Sequence, residues 1–125
     1  MDDIVLKPVE WVGSSRADLK RFPDPVKDHM GFAIYQAQAG LTHRDAKPLK
    51  GFGSGMLEVV SRHDGNTFRA VYTVRLETAV YVLHAFQKKA RRGTATPKKE
   101  LDLIRQRLKA AERHHRNELE GGKGT

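Results

Sequence analysis

The chain has no cysteine. That excludes a disulfide framework and any thiolate metal site, and it fits a reducing compartment. There is no run of about 18 uninterrupted apolar residues, so no membrane-spanning helix is expected. Asp2 and Asp3 stand where a secretory signal would place cations, and no apolar segment follows them. The expectation is a soluble, cytoplasmic protein with no membrane partner. Aromatics make up only 7%, with Trp11 the single tryptophan. Its position in a short alternating segment makes it a core-edge anchor rather than a stacking platform. No internal repeat, nucleophile elbow, metal-ligand cluster or paired-acid motif stands out, and no cofactor is implied.

What is present is positive charge, unevenly placed. Of the net +8, residues 1–86 contribute 11 Lys/Arg against 10 Asp/Glu, and residues 87–125 contribute 12 against 5. A polarised basic field of this kind favours a polyanionic partner. The 125 residues, 38% hydrophobic, are enough for a single core without staples. One domain is expected over residues 1–119, with 120–125 as a disordered tail.

Local patterns divide the chain. Residues 8–13 alternate as a short strand. Residues 14–22 form a short helix capped by Ser15, with Asp18 near the capping-box position. Pro23-Asp24-Pro25 breaks the chain and starts a second helix, Asp24 as cap and Pro25 as first residue. Val26, Met30, Ala33, Ala37 and Leu41 recur at helical spacing, and Gly40 is a stop. His29 lies near this stripe with no second ligand at useful spacing. Residues 42–55 are expected to be a loop. Its glycines do not make a phosphate loop, because no Gly-Lys-Ser/Thr occurs and a strand follows. Lys47 and Lys50 remain candidate phosphate-backbone contacts.

Three strands then make a meander: 56–63, 68–75 and 79–88. Asp64-Gly65 supplies the first hairpin turn. Strict alternation groups Val80, Val82, His84, Phe86 and Lys88 on one face of the last strand. It places Arg69 opposite Phe68, Ala70 and Tyr72, a cation within a strand in a position uncommon without a carboxylate or phosphate partner. A basic cluster follows: Lys88, Lys89, Arg91 and Arg92. Thr96 and Pro97 start a final helix with Leu101, Ile104, Leu108 and Ala111 on its buried face. Adjacent His114 and His115 point about 100° apart on a helix and do not suit joint metal ligation.

The residues left to carry chemistry are Glu58, Arg62, Arg69, Tyr72, His84, Lys88, Lys89 and Arg91. Cations of this set can stabilise a phosphorane-like transition state. A neighbouring base can move the proton of a ribose 2′-hydroxyl. Such RNA cleavage needs no metal, since the nucleophile belongs to the substrate.

The stretches Lys50-Gly51-Phe52-Gly53-Ser54-Gly55-Met56-Leu57-Glu58, Phe68-Arg69-Ala70-Val71-Tyr72 and Val82-Leu83-His84-Ala85-Phe86-Gln87-Lys88-Lys89, followed by Pro97, resemble the RelE/ParE toxin superfamily. The resemblance is to its phage-related, HigB-like branch and spans about residues 8–112. It implies a small α+β RelE-like fold: a short N-terminal strand, two helices, a three-stranded antiparallel meander and a C-terminal helix. It implies the toxin of a type II toxin–antitoxin system, an endoribonuclease (mRNA interferase) acting on mRNA at the ribosome. The implied partner is a cognate antitoxin with a helix-turn-helix. Arg69 matches the strand arginine that engages the scissile phosphate in RNA-cleaving relatives, and Lys88 and Lys89 match the basic strand end. The general base stays open among His84, Tyr72 and Glu58. Lys47, Lys50, Arg62, Arg91 and Arg92 are expected to bind RNA. The alternatives are a gyrase-inhibiting toxin of the ParE type and a non-catalytic RNA- or ribosome-binding domain.

Overall fold

Asp64 (φ 49°) and Gly65 (φ 77°) both take positive φ, the conformation a two-residue hairpin turn demands. They join β3 (Met56–His63) to β4 (Asn66–Thr73) in register from Met56↔Thr73 to His63↔Asn66. This comes from a computed structural model that describes residues 5–88 and 96–123. β5 (Val80–Lys88) continues the antiparallel meander. Two short edge strands extend it: β1 (Val9–Trp11), parallel to β5, and β2 (Ala46–Pro48), antiparallel to β3. The sheet is mixed and five-stranded, in the order β1-β5-β4-β3-β2. The class is α+β, as expected, with helices on both faces.

β2 is a correction to the expected loop 42–55. Three residues that include a proline carry no alternation to detect. An edge position tolerates Pro48, because one side of the strand needs no donor. Helix boundaries also move. α1 spans Ser15–Lys20 with Ser14, not Ser15, at the cap; Ser14 Oγ donates to Asp18 Oδ2 at 2.7 Å. Ser15 is instead buried, its hydroxyl donating to the Val82 carbonyl at 3.0 Å. α2 spans Asp24–Gln38, one residue earlier than the cap at Asp24 implied. α3 runs from Lys98 to Lys123, so the helix continues through residues 120–123 that were assigned to a tail.

The two faces of the sheet hold separate cores. On one, Val26, Met30, Ala33, Ile34 and Ala37 of α2 pack on Val59, Phe68, Ala70, Tyr72, Val80, Val82 and Ala85, and Trp11 sits at the margin. Burial of each large side chain there contributes about 1.5–3 kcal/mol. On the other face, Ile104, Leu108 and Ala111 of α3 pack on Met56, Val71, Tyr81 and Leu83.

β5 does not keep its period of two. Tyr72 pairs with Val82, while Val71 pairs with His84, leaving Leu83 as an extra residue in a β-bulge. Before the bulge, Val80 and Val82 face α2. Beyond it, Ala85 takes that face, and Phe86 joins the α3 side. Strict alternation, which grouped Lys88 with Val80 and Val82, is therefore overturned. The inserted residue puts His84, Phe86 and Lys88 on the face of Arg69.

Candidate functional site

The register across β2, β3, β4 and β5 determines what shares the α3-side face. Lys47 pairs with Glu58, Glu58 with Val71, and Val60 with Arg69. Arg69 pairs in turn with Phe86, and Thr67 with Lys88. α3 covers one end of this face. At the other end a cleft of about 790 Å³ remains open, lined by Lys47, Lys50, Glu58, Arg62, Arg69 and Leu101 among others.

Arg69 forms the floor. It is 3% exposed and its Nη1 donates to Glu58 Oε2 at 2.9 Å. The carboxylate that a strand arginine requires is thus supplied from the neighbouring strand. Lys88 is also buried. Burial, then the positive charge of Arg69, pushes its ammonium below the ordinary lysine range; Glu58 acts the other way and Arg62 adds to the lowering. Arg69, Glu58 and Arg62 thus all act on Lys88. Lys47 and Lys50 stand exposed along the β2 edge. The arrangement groups Lys47, Lys50, Arg62 and the Arg69–Glu58 pair along one cleft.

Three of the expected site residues, Lys88, Tyr72 and His84, are not among those lining the cleft. Tyr72 lies on the opposite face, fully buried in the α2-side core. Among the described residues its hydroxyl has no hydrogen-bond partner, and burial pushes its pKa up to about 12. A phenol so placed neither meets a phosphate nor serves as a base. His84 is on the correct face but beneath α3. Arg107 Nη1 donates to His84 Nδ1 at 3.2 Å and to the Leu83 carbonyl at 3.0 Å. His84 Nδ1 is therefore the acceptor, and Nε2–H donates to Glu100. Its ring also stacks on Phe86, centroids 4.7 Å apart. Burial lowers its pKa, against the opposing pull of Glu100. Both nitrogens are engaged, so His84 clamps α3 to the bulge rather than moving substrate protons. Lys89, Arg91 and Arg92 lie outside the described residues.

The glycine-rich turn behaves as its lack of a Gly-Lys-Ser/Thr implied. Gly51, Gly53 and Gly55 all have positive φ. The carbonyls of Phe52 and Ser54 accept from the Arg75 guanidinium. A loop that turns its carbonyls toward a cation is the reverse of one that cradles phosphate with N–H groups. Arg105 stacks on Phe52, 5.0 Å from the ring centroid, tying this loop to α3.

The fold also assembles a group the sequence kept apart. His29 Nε2 lies 2.8 Å from Asp45 Oδ2, and its Nδ1 lies 2.9 Å from Ser61 Oγ. His43 Nδ1 accepts the Asp45 N–H at 2.9 Å. His29 therefore has potential co-ligands, contrary to the expectation that it had none. They come from 14 and 16 residues away, across a chain reversal, and no local spacing signals them.

A model of the family described as phage derived protein Gp49-like matches residues 17–109. The chain belongs to the Gp49-like family. The match includes Glu58, Arg62, Arg69 and Lys88, so the cleft floor of this Gp49-like chain lies within the family region. No curated protein matches. Among solved structures, the chain is similar to one in the toxin–antitoxin complex RelBE2 from Mycobacterium tuberculosis. That similarity has 22% identity and a TM-score of 0.44, and covers 72% of this chain and 100% of that one. Among the described residues no helix is long and apolar enough to cross a membrane.

Proposed function

We propose that this Gp49-like chain is the toxin of a type II toxin–antitoxin pair, of the HigB-like branch, and that it cleaves mRNA. One observation carries the reading: Arg69, buried and paired with Glu58, and Lys88, which feels the charge of both, share a sheet face with an open cleft edged by Arg62, Lys47 and Lys50. Membership in a RelE/toxin-like family supports the same assignment.

In this mechanism the scissile phosphate settles on Arg69 and draws the guanidinium away from Glu58. The freed carboxylate accepts the proton of the ribose 2′-hydroxyl. The 2′-oxygen bonds to phosphorus while the bond from phosphorus to the 5′-oxygen breaks. Lys88, its proton already loosened by burial and neighbouring cations, protonates the departing oxygen. The products are a 2′,3′-cyclic phosphate and a 5′-hydroxyl. Arg69 and Arg62 stabilise the charge that develops on the phosphate oxygens. Lys47 and Lys50 hold the flanking backbone. The cytoplasmic ribosome is the proposed site of action. A helix-turn-helix antitoxin is the proposed restraint.

Binding without cleavage is the second reading. It is favoured by the near-complete burial of Arg69 against Glu58, which substrate must undo. Induction in a bacterial host lacking the neighbouring gene, with RNA 5′ ends mapped, separates the cases. Growth arrest with new mRNA 5′ ends is expected. Arrest with DNA damage and intact mRNA points to gyrase inhibition. RNA retention without arrest or cutting points to a binding domain.

A further inference from the structure

His29 projects from α2, and His43 and Asp45 from the segment that leads into β2. One ligand atom of each lies within 4.8 Å of the other two. Two imidazoles and a carboxylate form a borderline donor set that suits zinc or cobalt rather than magnesium or calcium. The surrounding contacts resemble those of a metal site. His29 Nδ1 meets the buried hydroxyl of Ser61, which fixes the ring and directs Nε2 at Asp45. Metal-ligating histidines are commonly oriented through the other nitrogen in this way. His43 is buried, its ring edge-on to Phe32 at 5.6 Å.

We propose that His29, His43 and Asp45 bind one divalent transition-metal ion, with solvent completing the shell, and that the ion fastens the segment before β2 to α2. Zinc–nitrogen and zinc–oxygen bonds of about 2.0–2.2 Å require ligand atoms roughly 3.3 Å apart. His29 Nε2 and Asp45 Oδ2 are already 2.8 Å apart, and His43 Nδ1 stands 3.9 Å from the same oxygen. Asp45 is about half exposed on its segment, so the adjustment falls on the freest of the three side chains. On binding, the His29 proton resides on Nδ1 and Ser61 Oγ accepts it, since a hydroxyl fills either role. The His43 Nδ1 lone pair exchanges the Asp45 N–H for the ion. Asp45 also lines the cleft beside Lys47, so the ion steadies one wall of the basic cleft.

Calorimetric titration of the chelator-stripped full chain with zinc chloride tests this. One equivalent should bind with a rise in Tm, Co²⁺ should give visible ligand-field absorption, and Mg²⁺ should not compete. Asp45→Asn keeps the backbone N–H and changes only an exposed carboxylate. It and His43→Gln should each weaken Zn²⁺ by at least about tenfold, while a His114→Gln/His115→Gln control leaves binding unchanged. The proposal is overturned if Zn²⁺ does not saturate at one equivalent, if Co²⁺ gives no such absorption, or if folded Asp45→Asn, checked by circular dichroism, binds as tightly as the parent.

Discussion

The two faces of the sheet answer different demands. The α2-side face is apolar from Val80 to Phe68, and α2 covers it with a matching stripe. The α3-side face is apolar only at one end, around Tyr81, Leu83 and Met56. At the other end it carries Glu58, Arg62, Arg69 and Lys88. Charges are costly to bury unless paired, so a face built for stability alone would not bury both Arg69 and Lys88. The contrast teaches that one strand serves both purposes, and that the bulge at Leu83 is where β5 passes from one to the other.

Truncation on each face should separate the two roles. The largest effect on stability is expected from Met30→Ala in the α2-side core, about 2–5 kcal/mol by denaturant unfolding, with RNA cleavage per folded molecule unchanged. On the other face, Arg69→Ala and Lys88→Ala should each lower RNA cleavage by about 10²–10³-fold, the usual size for loss of a group that stabilises transition-state charge. Both should keep a native far-ultraviolet dichroism spectrum. If either folded variant stays fully toxic, the cleft is not the active site.

A pH series sharpens the contrast further. Burial holds the folded-state pKa of His84 below its ordinary 6.5. The unfolded chain therefore takes up a proton first as pH falls. The stabilising contribution is fully present above about 6.5 and is lost progressively below it, down through the lowered folded value. Urea midpoints should drop between pH 7.5 and 5.5, and His84→Gln should flatten that drop. The smallest effect is expected from Tyr72→Phe. Removing a buried hydroxyl with no partner among the described residues should change stability by less than about 1 kcal/mol, in either direction, and leave toxicity intact. A folded but inactive Tyr72→Phe would return Tyr72 to the chemistry.

Much of this contrast was legible in the sequence, though not its hinge. Helical spacing identified the buried stripe of α2, and Asp64-Gly65 fixed the hairpin. The need of Arg69 for a counter-charge was readable from its strand position, and Glu58 meets it. The bulge was not readable, because alternation counts residues and cannot show that one is extra. That single residue made the difference between Lys88 in the apolar core and Lys88 beside Arg69. Tyr72 and His84 were plausible bases by type alone. Face and partner, which depend on pairing, excluded them. β2 was too short to show a period, yet its register is what places Lys47 opposite Glu58.

The chemistry of the RNA ends tests cleavage at the Arg69 cleft most directly. A reporter mRNA incubated with the purified chain in a bacterial translation extract should be cut, with 5′-hydroxyl and 2′,3′-cyclic phosphate termini. Replacing the scissile nucleotide by its 2′-deoxy form should abolish cutting at that position. Intact mRNA, or fragments with 5′-phosphate ends that persist with the 2′-deoxy substrate, would contradict it.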